Sequence, residues 1–126
     1  MPSSVRLKRI SDRIRNDLAE LILLKVNDPR LNGVNITDVK VDRELAYADV
    51  FVSAVEGLAR SEEILRGLEH AAGFLRHELA SQIELRTFPR LRFHWDVTPE
   101  RAEKIEQLIG ELHQKEKAGG NKNGDE

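Results

Sequence analysis

The sequence predicts an α+β domain in which helices pack on a three-stranded sheet. Two segments, near residues 4–25 and 61–83, carry the apolar period of amphipathic helices, and two alternating segments of strand character lie between them. A third alternating segment over residues 91–96 and a last helical segment from Thr98 complete the order. In this class helices cover one face of the sheet, and the other face is available to a partner.

The first helical segment begins after Ser3 or Ser4, either of which suits an N-cap, and runs to about Lys25. The apolar stripe of this helix comprises Leu7, Ile10, Ile14, Leu18, Leu21 and Ile22. Basic side chains occupy its polar side and borders: Arg6, Lys8, Arg9, Arg13 and Arg15. Asp28 and Pro29 end the helix, because proline lacks a backbone donor and disfavours the α conformation of the residue before it.

Residues 34–42 and 46–53 read as two strands of a hairpin that turns at Arg43 and Glu44. Alternate residues of the second strand form its apolar face: Ala46, Ala48, Val50 and Val52. In the first strand Val39 is out of phase with Ile36, which indicates a bulge or a twist near Thr37 and Asp38.

The long helical segment over residues 61–83 takes Ser61 as its predicted N-cap and contains Gly73 at its middle. A glycine inside a helix costs about 1 kcal/mol relative to alanine, so a close backbone approach or a bend would explain it. The alternative is a tolerated glycine in a straight helix, and the apolar stripe does stay in phase across Gly73.

The third strand places Leu91, Phe93 and Trp95 inward and a charged row outward. Thr98 and Pro99 then open the last helix. We expect its apolar residues to face the core: Ile105, Leu108, Ile109 and Leu112. Beyond them the composition turns polar without an apolar anchor, so we expect one domain over residues 1–113 and a disordered tail over residues 114–126.

The net charge of −2 argues at first sight against nucleic acid, whose binding rests on Lys and Arg. The charges are segregated, however. Lys and Arg outnumber Asp and Glu by seven to four over residues 1–30 and by four to two over residues 71–95. If folding brings these two segments together, the protein has one cationic face; the alternative is ordinary solvated surface charge.

Three motifs in this order resemble bacterial ribosome-binding factor A: residues 28–31 (DPRL), residues 71–76 (AAGFLR) and residues 89–93 (PRLRF). The resemblance spans roughly residues 5–113. It implies a single KH-like domain of type II, in the order α-β-β-α-kink-α-β-α, whose kink lies at Ala71, Ala72 and Gly73. It also implies a protein without enzymatic activity that binds the small (30S) ribosomal subunit and assists late maturation of 16S rRNA, notably near its 5′ end. Members of that family matter most for growth in the cold.

Electrostatic docking on structured RNA is the predicted mechanism, because helical RNA offers phosphates and 2′-hydroxyls and hides its base edges. Aromatic side chains for stacking are few, since the chain has six. The candidate phosphate contacts are Arg6, Lys8, Arg9, Arg13, Arg15, Arg76, Arg86, Arg90 and Arg92. For each of them the alternative is an arginine or lysine that merely solvates the surface.

The sequence offers no standard catalytic, nucleotide-binding or metalloprotease motif, so we expect no enzyme, no cofactor, no metal and no small-molecule substrate. His94 with Asp96, or His70 with His77, would be the nearest approach to a metal or acid-base site. Without cysteine or an apolar signal segment or span, the chain is expected to be cytoplasmic. Without a long bare apolar strand edge or a second apolar stripe, it is expected to be a monomer. Three alternatives stay open: a KH-like module for other RNA, a ribosome-associated stress factor, and a protein adaptor.

Overall fold

The computed structural model describes the backbone of residues 3–123 and the side chains of residues 3–99 and 101–114. Its helices are α1 (Ser4–Leu24), α2 (Ser61–Gln82) and α3 (Thr98–Asn123), and its strands are β1 (Val34–Val41), β2 (Tyr47–Ala54) and β3 (Arg90–Trp95). Short 3₁₀ helices, Pro29–Leu31 and Gly57–Arg60, precede β1 and α2. Helices and a mixed sheet in this order confirm the predicted α+β class.

The sheet has the order β1-β2-β3. Strands β1 and β2 form the predicted antiparallel hairpin, whereas β3 runs parallel to β2. Since parallel neighbours need a long crossover, α2 provides the connection between them. The pairing of β1 with β2 shifts between Ile36 and Asp38, which confirms the predicted bulge.

Helices α1 and α2 bury their apolar stripes against one face of this sheet. Ile14 and Leu18 of α1, Leu68 of α2 and Val50 of β2 are fully buried in one cluster. Burial of each such side chain stabilises the fold by about 1.5–3 kcal/mol. The opposite face of the sheet carries polar and aromatic side chains, because alternate strand residues point to opposite faces.

The first helix begins as predicted, and the second does not. Ser3 is the N-cap of α1, and its hydroxyl accepts a hydrogen bond of 3.1 Å from the backbone N–H of Arg6. At α2 the cap position falls on Arg60, and Ser61 is already helical. The preceding 3₁₀ helix, which the sequence pattern did not reveal, runs directly into α2 and displaces the expected cap.

Helix α2 is one α-helix from Ser61 to Gln82, so the expected division into two helices at Gly73 is corrected. Its buried residues, such as Leu68 and Leu75, lie on one stripe on both sides of the glycine, which makes an uninterrupted helix the better-packed solution. A Cβ added to Gly73 would meet nothing within 4 Å, so no close approach accounts for this glycine. A bend of the continuous helix at Ala71, Ala72 and Gly73 stays a prediction.

The close approach in α2 occurs instead at Gly67, which the sequence reading passed over. A Cβ on Gly67 would lie 2.9 Å from Leu31 Cδ2 and 3.3 Å from Arg30 Cβ. The missing side chain lets α2 pack directly on the 3₁₀ helix Pro29–Leu31.

The chain divides into two compact units, Met1–Asp96 and Val97–Glu126, and α3 belongs to the second. The four apolar residues that were expected to face the core are about half exposed: Ile105, Leu108, Ile109 and Leu112. That expectation is wrong, because periodicity identifies the apolar side of a helix and not whether another element covers it. Helix α3 continues to Asn123, residues 124–126 lie outside the described residues, and the predicted boundary between domain and tail at residue 114 stays a prediction.

Candidate nucleic-acid interface

An open groove lies between the N-terminal half of α1 and the segment that follows α2. The groove is lined by Arg6, Arg9, Ile10, Arg13, Ile83, Glu84 and Leu85. The three arginines stand on successive turns of one helix side, since a helix repeats every 3.6 residues or so. The structure thus brings the basic half of α1 against the segment that leads to Arg86, which is one part of the second basic segment.

Arg13 bridges the two sides of this groove. Its Nη2 donates a hydrogen bond of 3.0 Å to the backbone carbonyl of Gln82, and its Nε lies 3.1 Å from Oδ2 of Asp17. Ile10 and Ile83, both buried, form an apolar floor. Arg13 therefore connects α1 to the end of α2 and leaves the groove with a packed base.

Arg6 and Arg9 differ from Arg13, because both are exposed and neither guanidinium has an ionic or hydrogen-bonding partner in the described part of the chain. Charge-assisted bonds to phosphate are the strongest interaction open to such groups. Lys8 lies outside the groove and pairs with Asp12 at 3.2 Å. Arg15 lies beside Ala19 and Ile36 in a separate depression between α1 and β1.

In the second basic segment, Arg76 serves the fold. Its Nη2 donates to the carbonyl of Phe88 at 2.6 Å and its Nε to the carbonyl of Pro89 at 3.2 Å. These bonds tie α2 to the residues just before β3. Arg86 is exposed one residue beyond Leu85 of the groove, so it remains well placed to extend the cationic surface.

Arg90 and Arg92 lie on the open face of the sheet, which is opposite to the face that α1 covers. Arg92 Nε and Nη2 contact the two carboxylate oxygens of Asp49 at 2.8 and 3.0 Å, and its guanidinium lies 3.9 Å from the centre of the Tyr47 ring. His94 Nε2 also lies 2.7 Å from Asp49. The predicted cationic face is therefore divided, with the sheet between its two parts.

Asp49 is the centre of the open-face cluster. The hydrogen bond from Arg92 lowers the pKa of the Asp49 carboxyl, with a smaller contribution from His94, and partial burial opposes the shift. An ionised carboxylate so engaged neutralises much of the positive charge of Arg92. This face is consequently less suited to phosphate than the groove on α1.

His94 and Asp96, one of the suggested metal or acid-base pairs, have different partners. His94 contacts Asp49, whereas Asp96 accepts a hydrogen bond of 2.6 Å from the hydroxyl of Thr37. Among the residues that the structure describes, no group of three or more potential ligands could hold a metal ion. The described helices also include none that is long and apolar enough to cross a membrane.

Sequence reasoning found the arginine row and missed the wall that faces it. Glu84 and Leu85 follow the end of α2, and no periodicity indicates which helix such a connecting segment will contact. Only their proximity in sequence to Arg86 hinted at the site. The predicted kink residues lie elsewhere on α2, where Ala71 and Ala72 are half-buried and Gly73 is exposed.

Comparison with known proteins places the chain in a family. The sequence profile of ribosome-binding factor A matches residues 6–109. Ribosome-binding factor A of Aromatoleum aromaticum is 41% identical over 107 residues, which cover 85% of this chain and 84% of that protein. The crystal structure of ribosome-binding factor A from Thermus thermophilus superposes with a TM-score of 0.64 at 28% identity, over 71% of this chain and 93% of that one.

A second similar structure is a homology model of Thermus thermophilus ribosome-binding factor A fitted into the cryo-EM map of a 30S complex. It has a TM-score of 0.59 at 30% identity and covers 70% of this chain and 93% of that one. The chain therefore belongs to the ribosome-binding factor A family, and the resemblance found in the three sequence motifs is confirmed.

Proposed function

We propose that this member of the ribosome-binding factor A family binds the small (30S) ribosomal subunit through 16S rRNA and assists late maturation of that RNA, notably near its 5′ end. It acts as a cytoplasmic monomer without cofactor or small-molecule substrate, and it leaves once maturation is complete. Its contribution is largest for growth in the cold. The complex of the similar Thermus protein with 30S supports the choice of particle.

The groove on α1 carries this proposal. Arg6 and Arg9 lie on one wall without a partner among the described residues, Arg13 is anchored beside them, and Arg86 follows the other wall. In this way a protein with a net charge of −2 can still bind phosphate, through a local cationic surface. Arg90 and Arg92 on the open sheet face form a second, weaker contact surface, and Lys8 and Arg15 lie at the borders of the first.

Contacts of this kind recognise the backbone and shape of RNA, because guanidinium groups that bind phosphates carry no base information. Each phosphate contact releases counterions, so affinity falls steeply as salt rises. A protein that binds structured RNA in this manner stabilises one folded arrangement of the RNA and needs no chemistry of its own. Such assistance is consistent with a maturation factor.

The test replaces the two unpaired arginines together, Arg6→Glu with Arg9→Glu. We expect cosedimentation with immature small subunits to be lost, because each change turns a phosphate contact into a repulsion, while the urea midpoint stays within error. The matched control is Arg43→Glu with Arg101→Glu, which makes the same charge change at two exposed arginines outside the groove. Arg13 is left unchanged, since it also bonds to Gln82.

Unchanged cosedimentation of the groove variant, or equal loss in the control, would contradict the proposal. The particle that the wild-type protein accompanies separates the alternatives. Immature subunits with unprocessed RNA indicate the maturation factor, whole ribosomes in starved cells indicate a stress factor, and free RNA indicates an independent KH-like module. Binding that ignores salt would indicate a protein adaptor.

A further inference from the structure

We infer that Glu84 makes the groove on α1 selective for ribose over deoxyribose, by accepting a hydrogen bond from the 2′-hydroxyl of a nucleotide held on the arginine wall. This inference rests on the proposed function and names the feature of RNA that the groove recognises. It concerns the one acidic side chain among the residues that line the groove.

A carboxylate is out of place in a groove built for phosphate alone, since it repels the ligand that the arginines attract. Yet Glu84 lies in the same groove as Arg6, Arg9 and Arg13 and forms no ion pair with them in the described structure. Glu84 thus remains available to a ligand.

The positions of the charges orient a bound strand. The arginines rise along α1 at about 1.5 Å per residue, so they form a row parallel to the helix axis. A strand that follows this row turns its phosphates toward α1 and away from Glu84, because like charges repel. The sugar edge of the strand then faces the wall that Glu84 and Leu85 form.

An ionised carboxylate only accepts hydrogen bonds, so its partner on that edge must be a donor. The 2′-hydroxyl is such a donor, it occurs on every ribonucleotide, and DNA lacks it. The side chains of the floor, Ile10 and Ile83, are apolar and nearly buried, so they do not compete with Glu84 for the 2′-hydroxyl. The open groove has a volume of about 410 Å³, which lies within the range of about 300–1,000 Å³ typical of small-molecule sites.

The experiment measures the affinity of the full chain for oligouridylate and for oligodeoxyuridylate of equal length at one salt concentration. The two probes differ only in the 2′-hydroxyl, so donors on the base cancel in the ratio. We expect the wild-type protein to bind the ribose form roughly 3–10-fold more tightly, as one hydrogen bond to a charged group in an open site allows. In Glu84→Ala the deoxyribose form should bind more tightly than before, and the ratio should fall toward one.

Two further variants separate the causes. Glu84→Gln keeps an acceptor oxygen without the charge, so part of the ratio should survive in it. Glu44→Ala removes an exposed carboxylate of the hairpin turn, outside the groove, and should leave the ratio unchanged. The inference would be overturned if Glu84→Ala increased the affinity for both probes by the same factor and left their ratio unchanged. Glu84 would then act through charge alone.

Cosedimentation of the wild-type protein with small subunits separates this inference from the proposed function. If the protein cosediments and yet shows a ratio of one, the role of Glu84 is refuted and subunit binding stands. If it neither cosediments nor binds either probe, both are refuted. Glu84 is exposed and makes no described contact, so its replacement leaves folding intact, which the urea midpoint verifies.

Discussion

The junction of α2 with the 3₁₀ helix Pro29–Leu31 and the groove on α1 both contain arginines, and they use them in opposite ways. At the junction Arg60 Nη1 donates to the carbonyl of Asn32 at 2.6 Å, and its Nη2 donates to the carbonyl of Arg30 at 3.0 Å. Only 17% of its side chain is exposed. In the groove, Arg6 and Arg9 are exposed and contact no partner among the described residues.

At the junction the charged side chains pair with groups of the junction itself. Asp28 accepts a hydrogen bond from the backbone N–H of Arg30 at 3.0 Å and pairs with its Nη2 at 2.7 Å. These contacts hold the pKa of the Asp28 carboxyl below its ordinary value. Local charge alone therefore does not reveal an RNA site. What distinguishes the groove, the proposed RNA site, is positive charge that has no partner within the described part of the chain.

The largest effect on stability is expected from Arg60→Ala, which tests whether the junction arginine belongs to the fold. The change leaves the carbonyls of Asn32 and Arg30 without their donor and also removes the contact with Glu63 at 2.8 Å. We expect the urea midpoint to fall more than in either glycine variant below, with an unchanged slope. RNA affinity of the folded protein should not change.

Arg6→Ala is the matched change in the groove, and it should do the reverse, lowering RNA affinity while the urea midpoint holds. If Arg60→Ala weakened RNA binding without loss of stability, the distinction between the two regions would fail.

Most of the fold was readable from the sequence, because amphipathic periods and turn residues are local properties. The bulge between Ile36 and Asp38 and the cap at Ser3 follow from such local chemistry. Whether an arginine is paired could not be predicted in this way, because the partners of Arg76 and Arg92 lie on other elements of the fold. For the same reason the sequence indicated the basic row of the site and not Glu84.

The next-largest effect on stability is expected at Gly67, which makes the close packing of the junction possible. In Gly67→Ala the new Cβ would lie 2.9 Å from Leu31 Cδ2 and 3.3 Å from Arg30 Cβ, inside ordinary contact distance. Overpacking costs about 1–3 kcal/mol, and alanine recovers about 1 kcal/mol of helix propensity. We expect the free energy of unfolding to fall by about 1 kcal/mol in urea titration. A gain in stability would show that Leu31 moves aside freely, and that the junction is looser than the groove.

A small gain in stability is expected from Gly73→Ala, which tests whether the two regions are coupled. Gly73 lies in α2 between Gly67 of the junction and Ile83 of the groove, so a bend there would move one region relative to the other. The new Cβ meets nothing within 4 Å, and an exposed helical glycine costs roughly 0.5–1 kcal/mol relative to alanine. The free energy of unfolding should rise by that amount.

If the predicted bend at Ala71, Ala72 and Gly73 is used in function, this more stable variant should mature small-subunit RNA less well and support growth in the cold poorly. Gly110→Ala is the control, because its Cβ also meets nothing within 4 Å and it lies in α3, which belongs to the second compact unit. If the Gly73→Ala variant still fully supported growth in the cold, function would not require the groove to move relative to the junction. If the Gly110 variant also grew poorly in the cold, the loss of growth would be due to general stabilisation and not to the bend at Gly73.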